Sequence, residues 1–370
     1  MKKSLLFTPF YDISGYSGLG RKLFKNLIME DIYVKICPLF WVLPTFLDIK
    51  IDKKYIFDEN ERNKIQDKNI FDSCIFLTLP IEYGRYFTEV GKKKIGYTTL
   101  ECFPWLRRWV NGCNLMDELW VLSEYDKLNA LTSGVNKPIK IVVPKNMFKK
   151  SKIEKIHKKG DEEFTFLFVG QMTKGDRKNI EKLIIFFIEI FKNKKYTLIL
   201  KTYMHDCSYI DFVETEKVIK RICANKPKFP TIKLYHGIMT EEKVSELYSN
   251  VDVFVTLSHG EGFCVPLLQA VNEGIPIIAP GFSGYMTYLN KDFSLFLDYK
   301  MSNVNLNISD IYSNGQVWCD VLYDNVEDNF KKIIGSSNKY KNMASKQKEY
   351  MIEKLKEYEL KKDFLSTTSP

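Results

Sequence analysis

A chain of 370 residues is too long for one small core and fits two domains of ordinary size, with 45% hydrophobic residues to fill them. Its formal charge of +9, from 55 basic against 46 acidic residues, favours anionic partners such as nucleotide diphosphates, phosphorylated glycans or a membrane surface. No apolar run approaches the length of a membrane-spanning helix, and the eight scattered cysteines form no Cys-x-x-Cys pair, so neither a spanning segment nor a zinc or disulfide framework is indicated.

The opening apolar run stops at Thr8-Pro9, too soon for a signal peptide, so the expectation is a cytoplasmic protein with at most peripheral contact to a membrane. Ser4 to Phe10 reads as a buried strand. It is followed by a glycine loop, Ser14-Gly15-Tyr16-Ser17-Gly18-Leu19-Gly20-Arg21, and a helix to about Met29. The glycines at 15, 18 and 20 do not give Gly-x-Gly-x-x-Gly, and Tyr33 to Phe40 ends without an acidic residue for a ribose. A nicotinamide-dependent dehydrogenase is set aside on both counts. Ser73 to Leu79, Lys94 to Thr99, Glu118 to Ser123 and Lys140 to Pro144 supply further short β-rich runs, with helical stretches such as Glu124 to Ser133 between them. Alternation of this kind predicts a parallel sheet with helices on both faces.

Residues 149–162 are charged and nearly free of core positions, which makes them the expected linker after a first domain at 1–148. Alternation restarts at Phe164 to Gly170 and continues with a helix from Asn179 to about Lys192, Thr197 to Lys201, a helix near Asp211 to Ala224, Ile232 to Gly237 and Glu241 to Ser249. This predicts a second α/β domain over 163–325. The tail, 326–370, is Lys/Glu-rich with apolar residues at helical spacing and no strand partner, and its last four residues are expected to be disordered.

The densest chemistry lies at residues 258 to 284, Ser-His-Gly-Glu-Gly-Phe-Cys-Val-Pro-Leu-Leu-Gln-Ala-Val-Asn-Glu-Gly-Ile-Pro-Ile-Ile-Ala-Pro-Gly-Phe-Ser-Gly. Asp252 to Leu257 is a short apolar strand, Gly260 and Gly262 permit a tight turn, and Val265 to Asn272 has helical content. A strand feeding a glycine-bounded helix start is an anion site, because the amides near Phe263, Cys264 and Val265 and the positive end of the dipole suit a diphosphate. Glu261 projects from that turn, where a sugar hydroxyl could bind. His259 either lines the same pocket or caps local structure.

This segment resembles the donor-sugar motif of retaining, nucleotide-sugar-dependent glycosyltransferases of family 4. Phe168-Val169-Gly170-Gln171-Met172-Thr173-Lys174-Gly175-Asp176-Arg177-Lys178-Asn179-Ile180 is similar to that family's strand-end loop, and Gly96-Tyr97-Thr98-Thr99-Leu100-Glu101 to a first-domain motif of some members. The resemblance implies a GT-B fold: α/β, two tandem Rossmann-like domains with a cleft between them, and a C-terminal helix crossing back onto the first domain. It implies transfer of a sugar, a hexose in the first instance, from a UDP- or GDP-linked donor to a glycan, lipid or protein hydroxyl, without metal, cofactor or nucleic acid. By resemblance Glu261 holds the transferred sugar, Lys178 reaches the donor diphosphate, and Gly18 and Gly170 belong to loops that approach the donor. Ser283 sits in a loop closing near it.

Three departures from the pattern matter. Gln171 stands where the family has Arg, so the missing charge is assigned to Arg177, whose guanidinium can grip a phosphate bidentately. Gln269 stands where a second Glu holds the ribose; a neutral amide still accepts a hydroxyl but without charge assistance, so Gln269→Glu is expected to hold or raise nucleotide affinity. No histidine lies in the first domain, which leaves Glu101 either to orient the acceptor or to pair with Arg107 or Arg108. A second reading therefore stands beside the transferase, a catalytically inactive nucleotide-sugar or glycan-binding protein on the same fold.

Overall fold

A computed structural model describes residues 1–41, 47–57, 70–86, 91–145, 147, 164–173, 175–226, 230–304 and 311–365. The expected linker at 149–162 and the end of the tail lie outside the described residues. The chain divides into two compact units, one formed by residues within 1–147, 307–316 and 355–370, the other by residues within 148–306 and 317–354.

The first unit is built on a parallel sheet of β1 (Lys3–Pro9), β2 (Tyr33–Leu39), β3 (Ser73–Leu77), β4 (Lys93–Thr98), β5 (Glu118–Val121) and β6 (Ile139–Ile141), in the order β2-β1-β3-β4-β5-β6. Leu5, Leu6 and Phe7 are all buried, as expected where helices cover both faces and alternation gives way to continuous apolar runs. Helix α1 (Gly15–Met29) starts one residue after Ser14, whose side chain accepts from the Ser17 amide at 3.1 Å. The expected glycine loop is therefore the first turns of a helix. A Cβ on Gly20 would lie 2.3 Å from Thr8 Oγ1, so Gly20 lets α1 press against β1. Gly18 is likewise helical, its amide bonded to Ser14 O.

The unit continues with α2 (Tyr83–Tyr86), α3 (Arg107–Asn114) and α4 (Glu124–Ser133). The last is capped by Ser123 and stopped by Gly134 in the left-handed region at φ 105°. The C-terminal residues rejoin this unit, where the Val143 amide bonds Tyr358 O and the Leu360 amide bonds Val143 O.

In the second unit β7 (Thr165–Val169), β8 (Thr197–Thr202), β9 (Thr231–His236), β10 (Val253–Val255), β11 (Ile277–Pro280) and β12 (Leu295–Leu297) form another parallel sheet, ordered β12-β11-β10-β7-β8-β9. Helices α5 (Ile180–Ile190), α6 (Tyr209–Cys223), α7 (Glu241–Ser249) and α8 (Val265–Asn272) connect the strands. A hairpin of β13 (Tyr299–Asn303) and β14 (Val317–Val321), which the sequence pattern did not suggest, pairs antiparallel beside it. Two tandem Rossmann-like sheets are thus present, as expected.

Of the segment 326–370, only its last described part groups with the first unit. Helix α9 (Tyr323–Gly335) buries Val326, Phe330 and Ile333 in the second unit, and α10 (Ser337–Lys356) follows it. The physical reason is aromatic: Phe166 meets Phe187, Phe191 and Phe330 at ring-centroid distances of 5.2, 5.5 and 5.0 Å, burial that is worth roughly 1.5–3 kcal/mol per ring.

Candidate functional site

Strands β7 and β10 are neighbours in the second sheet, and their carboxyl-end loops carry the charged residues singled out from the sequence. After β7, Gly170 has no room for a side chain, since a Cβ would come 2.9 Å from the Phe168 ring. The chain then turns through Asp176 and Asn179, both in the left-handed region that Asp and Asn tolerate. The Asp176 carboxylate accepts from the amides of Ile180 and Glu181 at 2.8 and 3.0 Å, capping α5, while Asn179 Nδ2 donates to Leu257 O. The His259 amide bonds Arg177 O at 2.9 Å, tying this loop to the one after β10.

So anchored, Lys178 Nζ donates to Glu261 Oε1 at 2.5 Å, and Arg177 Nη1 lies 3.5 Å from Glu261 Oε2 and donates to Gly260 O at 2.6 Å. The side chains of Lys178, Arg177 and Glu261 are 12, 13 and 6% exposed, so this is a buried triad and Arg177 is not a solvated surface charge. Burial pushes the Glu261 carboxyl upward, but Lys178 and Arg177 together pull it below the ordinary carboxylate value. Glu261 is therefore ionised at neutral pH.

The backbone of Glu261 is clasped from the far side. Its amide donates to Ser283 Oγ at 2.5 Å, the Ser283 hydroxyl donates to the Glu261 carbonyl, and the Gly284 amide bonds the same carbonyl at 2.8 Å. A Cβ on Gly284 would lie 1.7 Å from Gly262 O, so only glycine admits this approach. Ser283 (φ 96°) and Cys264 (φ 59°) are held in the left-handed region, which is costly for such residues and recurs where a loop is shaped for a ligand. Cys264 opens α8 without a side-chain cap, Phe263 and Gly262 are buried beside it, and Val265 is partly exposed. The Tyr288 hydroxyl fixes this corner by donating to Phe263 O at 2.7 Å.

Gln171 and Gln269, at the two positions that depart from the family pattern, are both engaged locally. Gln171 Nε2 donates to Met204 O at 3.0 Å and Gln269 Nε2 to Glu273 Oε1 at 2.7 Å. His259 Nδ1 donates to Cys319 O at 2.6 Å, its ring stacks on Trp318 with centroids 4.8 Å apart, and burial holds the imidazole below its usual value. It is a neutral imidazole with its proton on Nδ1. A polar cavity of about 550 Å³ lies against it, lined also by Gly175, Asn179, Lys182, Trp318 and Asp320. The hairpin residues Trp318, Cys319 and Asp320 escaped the sequence reading because nothing local connects them to position 259.

Gly18 and Glu101 belong to the first unit. Glu101 Oε2 accepts from the Tyr312 hydroxyl at 3.1 Å, close to a buried node in which the Asp126 carboxylate accepts from Thr99 Oγ1, the Leu100 amide and Ser123 Oγ at 2.7, 2.9 and 2.8 Å. Burial pushes Asp126 up to about 7. Among the described residues no group of three His, Cys, Asp or Glu side chains could hold a metal ion.

Residues 149–317 match the model of the family described as glycosyl transferases group 1. No curated protein sequence matches the chain. Among solved structures, OtsA aligns over 100% of both chains at 11% identity and a TM-score of 0.67. The lipopolysaccharide outer core galactosyltransferase WaaB aligns over 97% of this chain and 99% of its own at 12% identity and a TM-score of 0.61. A mutant of S. aureus TarM in complex with fondaparinux, alpha-GlcNAc-glycerol and UDP aligns over 76% of this chain at 14% identity and a TM-score of 0.52. The chain spans about half the length of the TarM chain, 52% of it. At these identities the likeness is one of fold, the GT-B arrangement of two tandem Rossmann-like domains.

Proposed function

We propose, on the premise that residues 149–317 form a group 1 glycosyl transferase domain on a GT-B fold, that this chain transfers a sugar from a nucleotide-diphosphate sugar to a hydroxyl acceptor with retention and without a metal. The observation that carries the reading is the buried Lys178–Glu261–Arg177 triad beside the start of α8. Two cations and a helix N-terminus favour a diphosphate, and a carboxylate released from them when phosphate competes is free to accept from sugar hydroxyls.

In the reaction the bond from the anomeric carbon to the diphosphate oxygen breaks, with its electron pair leaving on the diphosphate. The acceptor oxygen bonds the same face of that carbon, and its proton passes to the departing phosphate oxygen. Lys178, Arg177 and the α8 amides stabilise the charge growing on the leaving group, the electrostatic effect that contributes most in such sites. Glu261 orients the sugar, and Glu101 is assigned to the acceptor. UDP, the nucleotide in the TarM complex, and GDP are the donor nucleotides to test first, with hexoses ahead of other sugars. No helix among the described residues is long and apolar enough to cross a membrane, and the formal charge of +9 favours anionic partners.

The test is a panel of UDP- and GDP-linked sugars, followed by the release of nucleoside diphosphate and by NMR of the product anomer. Slow hydrolysis or transfer that persists in excess EDTA and yields the donor's anomeric configuration is expected. Activity lost in EDTA and restored by Mn²⁺, or an inverted product, refutes the mechanism. Binding of a nucleotide sugar without any turnover favours the inactive binding protein instead, to which Gln171 and Gln269 already lend weight.

A further inference from the structure

Gln269 and Glu273 are four residues apart, the spacing that places two side chains on one helix face, and both are half-buried. Gln269 Nε2 lies 2.7 Å from Glu273 Oε1. A carboxylate only accepts hydrogen bonds, so it is the NH₂ end of the amide that turns toward Glu273, and Gln269 Oε1 turns away from it. Glu273 closes the end of α8, its own amide bonded to Gln269 O at 2.9 Å, which fixes the two residues as one unit.

We infer that Glu273 is a positioning residue for the nucleotide's ribose: it locks the Gln269 amide with its carbonyl oxygen presented as an acceptor for the ribose hydroxyls. This rests on the reading above, in which position 269 stands at the ribose. The departure at 269 is then a relocation of the carboxylate by one helical turn. Position 269 keeps an acceptor, and its orientation, which a free amide would lose to rotation, is imposed by the charge at 273. The same geometry revises the expectation for Gln269→Glu, since a second carboxylate at 269 would sit in hydrogen-bonding contact with that of Glu273, where like charges repel and burial limits screening.

Calorimetric titration of the full chain with UDP and GDP, and with their 2′-deoxy and 3′-deoxy counterparts, tests this. Glu273→Ala is expected to weaken the better ribonucleotide by roughly three- to ten-fold, the range for one directed hydrogen bond, and to bring the ribose-to-deoxyribose affinity ratio toward one. Glu273→Gln, whose amide donates as readily as it accepts and so no longer fixes which end of Gln269 faces it, should lower that ratio by an intermediate amount. Gln269→Glu alone should bind more weakly than Gln269→Glu combined with Glu273→Gln, where the amide at 273 donates back to the new carboxylate. A ribose-to-deoxyribose ratio unchanged by Glu273→Ala, with nucleotide still bound, overturns the inference and leaves the donor site standing. Failure of the unaltered chain to bind either UDP or GDP overturns both.

Discussion

Replacing Lys178 by Met removes an ammonium from the triad while keeping most of its stem. Removing one partner of a buried ion pair costs about 3–5 kcal/mol, because the remaining charge is left desolvated. Arg177 stays 3.5 Å from Glu261, so the lower end, about 3 kcal/mol at pH 7, is expected. The pH dependence has a definite sign. In the unaltered protein the Glu261 carboxyl lies below its ordinary value of 4.5, so its contribution is present above that value and is lost as pH falls through the lowered folded value. In Lys178→Met the pull of Lys178 on the carboxyl is gone and only that of Arg177 opposes burial, so the folded value rises relative to the unaltered protein, and the penalty is full at neutral pH and shrinks as the pH falls. Urea unfolding from pH 7 down to about 4.5 should therefore show the variant recovering stability relative to the unaltered chain. A double-mutant cycle with Glu261→Gln isolates the pair. A coupling below about 0.5 kcal/mol, or parallel pH profiles, would mean that the contact carries no energy. Turnover should fall more than ten-fold at every pH in this range, since the leaving diphosphate loses its cation whatever the protonation of Glu261.

Gly284→Ala should unfold the clasp around Glu261, because its Cβ has only 1.7 Å to the Gly262 carbonyl, and should depress both melting temperature and nucleotide affinity. Gly15→Ala, at the open first position of α1, should stabilise by about 0.4–1 kcal/mol; equal effects of the two in thermal melts would refute the packing assignment. Asp126, lifted to about 7 from an ordinary 3.8, contributes stability that is present at low pH and lost as pH rises through about 7. Asp126→Asn should flatten that part of the stability profile, and an unchanged slope between pH 5 and 8 in denaturant titrations would exclude Asp126 as its source.

The sheets were legible because buried parallel strands leave short apolar runs, and the helices between them carry their own punctuation, Ser123 before α4 and Gly134 after it. The start of α1 was misread for a physical reason: Gly20 is glycine because Thr8 presses on it from β1, and close packing has the same local signature as a loop. Glu261, Lys178 and Gln269 could be singled out individually. That Lys178 and Arg177 converge on Glu261 across more than eighty residues follows from β7 and β10 being sheet neighbours, which no local pattern encodes. The Trp318 platform under His259 was hidden for the same reason.

Position 269 is different, because its partner is four residues away and was in plain view. Comparing one position with a family pattern asks whether a charge is present there, whereas binding depends on where an acceptor points and what holds it. At 269 the charge is missing and the acceptor is kept, with Glu273 one turn on supplying the constraint. On that view Gln171 and Gln269 differ in kind, despite being the same substitution of amide for charge. Gln171 donates to a backbone carbonyl and carries no charge to replace a guanidinium, so in the proposed site the cations on the phosphate side are Lys178 and Arg177, beside the α8 amides. The ribose side retains a directed contact, and its loss in Glu273→Ala should leave the affinity for inorganic pyrophosphate unchanged.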